Sequence, residues 1–208
     1  MIETDRNKTG IFMRVRDQIG RLAKDDRGVA AIEFAFVVPV LLALYFITME
    51  VSQGLEANKK TSRVGIIVGD LITQQQTIVK AEVDAIMRVG EAVVQPYNRS
   101  SPGIYVTAIQ ITNESVPKVK VAWSRKLENG TASGYLSKDT TTTVPAALKV
   151  PGSFLVRTEV KLDYKPVLTW SASQKKTLGL AAAFDDIQMD EIYHLRPRMS
   201  QEIPCGDC

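Results

Sequence analysis

Apolar residues run almost unbroken from Val29 to Met49, while charge is dense before Gly28 and moderate afterwards. As a helix, these roughly 21 positions span about 31 Å, close to the hydrocarbon thickness of a bilayer. The run holds about a dozen Val, Ile, Leu and Phe residues, which together favour insertion by on the order of 5 kcal/mol. Glu33 opposes insertion by at most about 3 kcal/mol, and by less near a helix end. Insertion wins, and 29–49 reads as a retained transmembrane helix. A secretory signal would have a shorter apolar region and an A-x-A-like site, which does not follow Met49.

The pattern changes twice downstream. Residues 50–76 are mixed: Gly54, Gly65 and Gly69 predict interruptions, with a helix continuing to about Arg63 and a polar break at Gln74-Gln75-Gln76. Over 77–95, Val79, Val83, Ile86, Gly90 and Val93 share one helical face, with Lys80, Asp84, Arg88 and Glu91 on others. That stripe either packs on a sheet or serves a partner. From Pro96 the period becomes two. Ile104–Thr112 is rich in β-formers; Val119, Val121 and Trp123 alternate with Lys118, Lys120, Ala122 and Ser124. Val156, Thr158, Val160, Leu162 and Tyr164 alternate with Leu155, Arg157, Glu159, Lys161 and Asp163, and Ile187–Ile203 supplies an irregular strand interrupted by Pro197. Such alternation predicts an antiparallel sheet with one wetter face. Glu128–Pro151 reads as a long loop or extended hairpin, and 170–183 as loop-like or helical.

The expected fold is therefore α+β: a single N-terminal transmembrane helix, then an amphipathic helix packed on an antiparallel β-sheet, as in pilins. Its parts are a leader (1–28), a transmembrane helix (29–49), a helical stalk with the amphipathic helix (50–95) and a β-rich domain (96–208).

Charge sets the orientation. Arg6, Lys8, Arg14, Arg16, Arg21, Lys24 and Arg27 precede the span, whereas only Lys59, Lys60 and Arg63 closely follow it. The asymmetry favours a cytosolic N-terminus and places 50–208 on the far side, which in a bacterial inner membrane is the periplasm. The net charge of +3 over 208 residues gives no reason to expect a nucleic-acid partner.

Glu33 is the most informative residue, because intramembrane carboxylates usually have a partner and a function. Snorkelling to the interface is the plain alternative. Immediately upstream, Lys24-Asp25-Asp26-Arg27-Gly28 ends in glycine at the membrane boundary. A cut after Gly28 would make Val29 the new terminus and Glu33 its fifth residue. Arg27-Gly28-Val29-Ala30-Ala31-Ile32-Glu33-Phe34, followed by Pro39, resembles the processing site of type IV prepilins, and more closely that of TadE-like pseudopilins of tight-adherence (Flp) pilus systems. The resemblance implies that a membrane aspartyl prepilin peptidase cuts after Gly28 on the cytosolic face. It also implies that Glu33 meets the free amine of a neighbouring subunit. Pairing an amine that is mostly cationic at neutral pH with Glu33 would offset the carboxylate's desolvation in lipid.

Further downstream, Asp70-Leu71, Ala81-Glu82-Val83, Gln95-Pro96-Tyr97, Ala122-Trp123-Ser124, Tyr164-Lys165-Pro166 and Arg196-Pro197-Arg198 are similar to TadE-like sequences, so the resemblance covers most of 24–208. The chain departs from a major Flp pilin, which is little more than the helix, and this implies a minor, accessory subunit. Its implied partners are the prepilin peptidase, other pilus subunits, inner-membrane assembly proteins and lipid. The Asp-x-Ser-x-Ser string of the larger TadG relatives is absent.

Enzyme signatures are lacking: there is no phosphate-binding glycine loop, H-E-x-x-H or G-x-S-x-G string, and neither a cofactor nor a metal is implied. The lone His194 reads as structural or surface, and Asp185-Asp186 with Asp190-Glu191 as a solvated turn. Cys205 and Cys208 end the chain and so do not open a helix as thioredoxin-like pairs do. In an oxidising compartment they form a disulfide, within one chain or between two. Two rivals remain: an uncleaved, membrane-anchored periplasmic binding or scaffold protein, and a periplasmic hydrolase or redox enzyme.

Overall fold

The computed structural model describes residues 28–166 and 187–208. Residues 1–27, expected to form a leader, the 170–183 stretch and Asp185-Asp186 lie outside the described residues. The chain divides into two compact units, Met1–Met49 and Glu50–Cys208. In the first unit the described residues are helical, and the most apolar 18-residue window has no buried position. This helix, α1, runs Val29–Thr73 and is long and apolar enough to cross a membrane.

In the second unit, α1 from Glu50 onward and α2 (Lys80–Val93) pack on a five-stranded antiparallel sheet, an α+β arrangement as expected. The strands are β1 (Gly103–Ile111), β2 (Val119–Glu128), β3 (Thr131–Gly134), β4 (Phe154–Tyr164) and β5 (Ile187–Leu195), in the order β3-β2-β1-β4-β5. Val64, Val68 and Ile72 of α1 and Val83 and Met87 of α2 meet Ile104, Val106, Trp123, Val156, Val160 and Leu162 in the main core. The opposite face holds a smaller cluster, Ile109, Ile111, Val119 and Leu155, covered by Val144 and Leu148.

Three expectations need correction. The helix does not end near Arg63, and Gly54, Gly65 and Gly69 do not interrupt it. Two of these glycines are contact points. A Cβ on Gly65 would lie 2.6 and 2.9 Å from ring carbons of Tyr193, and one on Gly69 would lie 2.5 Å from Leu195 Cδ1. Their four-residue spacing puts both on the face turned to β4 and β5. Gly90 of α2 plays the same part against α1, where a Cβ would meet Val68 Cγ2 at 2.6 Å.

Strand β2 does not keep a single alternation. A bulge between Ala108 and Ile109 pairs Ala108 with Trp123 and Ile109 with Val121, so Ala122 has no Cα partner. The extra residue re-aims the side chains, so that Val119 joins the smaller cluster while Trp123 lies in the main core. The α2 stripe also shifts: Val83, Met87 and Gly90 are buried, whereas Val79 precedes the helix and is exposed.

Of the two readings of Glu128–Pro151, its first part follows the hairpin. Asn129 and Gly130 take positive φ, 49° and 72°, in the two-residue turn that Asn-Gly favours, and lead directly into β3. Asp139–Thr142 then returns along the start of β2, with Val121 N donating to Thr140 O and Thr142 N to Val119 O.

Candidate assembly helix and the polar sites of the body

Gly28 stands one residue before α1, and a Cβ built on it would meet nothing within 4 Å. The bond between Gly28 and Val29 thus joins a residue in a 3-10 turn to the first residue of α1. Glu33 follows one turn later and is exposed, about 6 Å along the axis from Val29. The Cα–Cβ bond of a helical residue tilts toward the helix N-terminus, so the Glu33 side chain departs from α1 in the direction of Val29. Around it Ile32, Phe34, Phe36, Val37, Val40 and Leu41 are exposed, with Phe36 at 73 %. An amine created at Val29 would sit at the positive end of the helix dipole, in an apolar setting. Pro39 lies inside the helix without ending it.

Just beyond the apolar run, Glu50 is 4 % exposed and accepts a hydrogen bond from Tyr164 Oη at 2.6 Å. Burial, and then this bond to a carboxylate, push the Tyr164 hydroxyl pKa well above its ordinary value. The Tyr164 ring stacks on Tyr97 with centroids 5.7 Å apart. The Arg99 guanidinium carbon lies 4.9 Å from the Tyr97 ring centroid and 5.8 Å from that of Tyr164, and Arg99 donates to Gln53 Oε1 at 3.0 Å. Tyr97 Oη accepts from Lys165 N at 2.7 Å. Gln95-Pro96-Tyr97 and Tyr164-Lys165-Pro166, far apart in sequence, thus join in one cluster against α1. Sequence reading found both strings but not their meeting, because nothing local couples 97 to 164.

Asp84 on α2 holds Arg125 on β2 by a two-pronged pair, with Nε to Oδ1 at 3.0 Å and Nη2 to Oδ2 at 2.5 Å. His194 is half-buried on β5. Burial first, and Arg157 second, lower its imidazole pKa. Glu191 accepts from Tyr193 Oη at 3.2 Å, and Asp190 is exposed opposite Lys161. Among the described residues these acidic groups do not converge on a common point. Cys205, Asp207 and Cys208 bring potential ligand atoms within 4.8 Å, but the two sulfurs are bonded to one another as a disulfide. A thiolate metal site needs both of them reduced.

No curated protein and no solved structure matches the chain. The family match begins at Gly28 and takes in Val29, Glu33, Pro39 and the first turns beyond the apolar run. The chain carries a TadE-like segment: residues 28–59 match the model of the family described as TadE-like protein, a family of pilus components rather than enzymes.

Proposed function

We propose that this chain is an accessory (minor) pseudopilin of a tight-adherence (Flp) pilus system. It inserts with its N-terminus in the cytosol, is cut between Gly28 and Val29 by a prepilin peptidase, and assembles through its membrane helix. The body from Glu50 onward lies in the periplasm or on the assembled organelle and contacts other pilus subunits and inner-membrane assembly proteins. The chain is a substrate of the peptidase and performs no chemistry itself.

One observation carries the reading. The TadE-like match opens at the glycine of the proposed cut and contains Glu33 on a helix whose apolar side chains are exposed. Assembly in lipid gains no hydrophobic drive between helices, so packing and polar pairing decide it. The one carboxylate in the apolar run, near a terminal amine, supplies such pairing.

Glu33→Ala tests this directly. The variant should insert and fold as the wild type does, because alanine makes the span more apolar. Its recovery with pilus subunits should drop about tenfold or more, as expected for loss of a low-dielectric ion pair. Recovery equal to wild type would remove Glu33 from assembly.

A further inference from the structure

The C-terminal tail fastens both helices of the body. Arg198 N donates to Thr73 O at 2.9 Å, at the last residue of α1, and its guanidinium lies 2.7 Å from Asp70 Oδ1. Ile203 is fully buried, and its carbonyl accepts from Trp123 Nε1 at 2.7 Å. The tail then runs beside Ile78 in a short parallel bridge to Cys205, with Ile78 N donating to Pro204 O at 3.1 Å and Gly206 N to Ile78 O at 3.1 Å. The next contact is at the entrance of α2. Its capping position is Val79, whose side chain has no acceptor, so the first-turn amides need one from elsewhere. Asp207 provides it: its Oδ1 accepts from Lys80 N at 2.7 Å, with negative charge at the positive end of the helix. Glu82 accepts from Val79 N at 3.0 Å and completes the local set.

Asp207 lies between the two cysteines, inside the ring closed by the Cys205–Cys208 disulfide. We infer that Cys205 and Cys208 form an oxidation site whose disulfide locks Asp207 onto the N-terminus of α2, so that the redox state of the tail sets the stability of that helix entrance. The partner is a dithiol–disulfide oxidoreductase. One tail thiolate attacks the partner's disulfide, giving a mixed disulfide and releasing a partner thiolate. The second tail thiolate then attacks the tail sulfur of that bond. The partner leaves as a dithiol, having gained two electrons, and two protons leave the tail thiols. Cys205 is partly exposed and Cys208 exposed, so the sulfurs are open to such a partner.

That the reaction occurs in the cell rests on the proposed placement of the body outside the cytosol. The lock itself does not, and its test uses purified full-length protein in detergent. Hydrogen exchange is compared for the oxidised chain, the same chain with reductant, Cys205→Ser/Cys208→Ser, and Asp207→Ala with the disulfide intact. The expected result is about fivefold or faster exchange at Ile78, Lys80 and Gly206 on reduction and in the double serine variant, with the amides of β1 and β4 unchanged. Asp207→Ala should speed Lys80 alone. Exchange at Ile78, Lys80 and Gly206 that ignores reduction would overturn the inference. So would a uniform rise across the sheet, which would make the disulfide a general staple. Neither result depends on which side of the membrane the body occupies.

Discussion

Asp84→Ala is expected to destabilise the body by about 3 kcal/mol, the lower end for breaking a buried ion pair. The cost arises mainly on the partner. Arg125 is 13 % exposed on the sheet face that α2 covers, and both its bonds to Asp84 would be lost, leaving a guanidinium that cannot give up its charge. The lower end applies because Asp84 is 22 % exposed, which lets some water reach the pair. Arg125→Met in the same background removes the stranded charge and keeps an apolar stem against α2. The double variant should therefore be more stable than Asp84→Ala alone. Urea unfolding of the full chain in detergent, followed by circular dichroism, measures both; a loss below about 1 kcal/mol for Asp84→Ala would make the pair a surface contact.

Glycine substitutions along α1 should split by position. Gly65→Leu should cost about 3 kcal/mol or more, because overpacking a filled contact costs about 1–3 kcal/mol even for small additions. The obstructing group is the Tyr193 ring, whose hydroxyl is shared with Ser62 at 2.5 Å and Glu191 at 3.2 Å, so the ring is held in place. At Gly54, by contrast, a Cβ would meet ring carbons of Tyr164 at 3.9 and 4.0 Å, ordinary contact distances. Gly54→Ala should therefore gain up to about 1 kcal/mol from helix propensity. The same unfolding measurement reads both, and equal effects at 54 and 65 would show that propensity, not contact with β5, governs these positions.

These glycines also show where the sequence misleads. Gly65 and Gly69 look like helix breakers when propensity is the only guide, yet their i, i+4 spacing was a visible sign of one close-approach face. The amphipathic α2, the strand alternation of β4 and the Asn129-Gly130 turn were legible because each rests on a local pattern. The flip in β2 at Ala122 was not, since a bulge leaves the residues alternating on paper while one pairing is skipped. The distal contacts were hidden for a related reason. Asp207 caps a helix that begins 127 residues earlier, and Tyr164 reaches back 114 residues to Glu50. No window of sequence contains both halves of such a pair. Gly28, Val29 and Glu33 are proposed from the sequence because a carboxylate inside an apolar run conflicts with its surroundings, and such local conflicts often mark functional positions.

The most direct measurement is the intact mass and N-terminal sequence of the protein extracted from its native membrane. A processed pseudopilin begins at Val29 in the wild type and keeps residues 1–28 in Gly28→Ala or in a strain lacking the prepilin peptidase. A wild-type chain that still carries its first 28 residues would contradict the account and leave an uncleaved membrane anchor in its place.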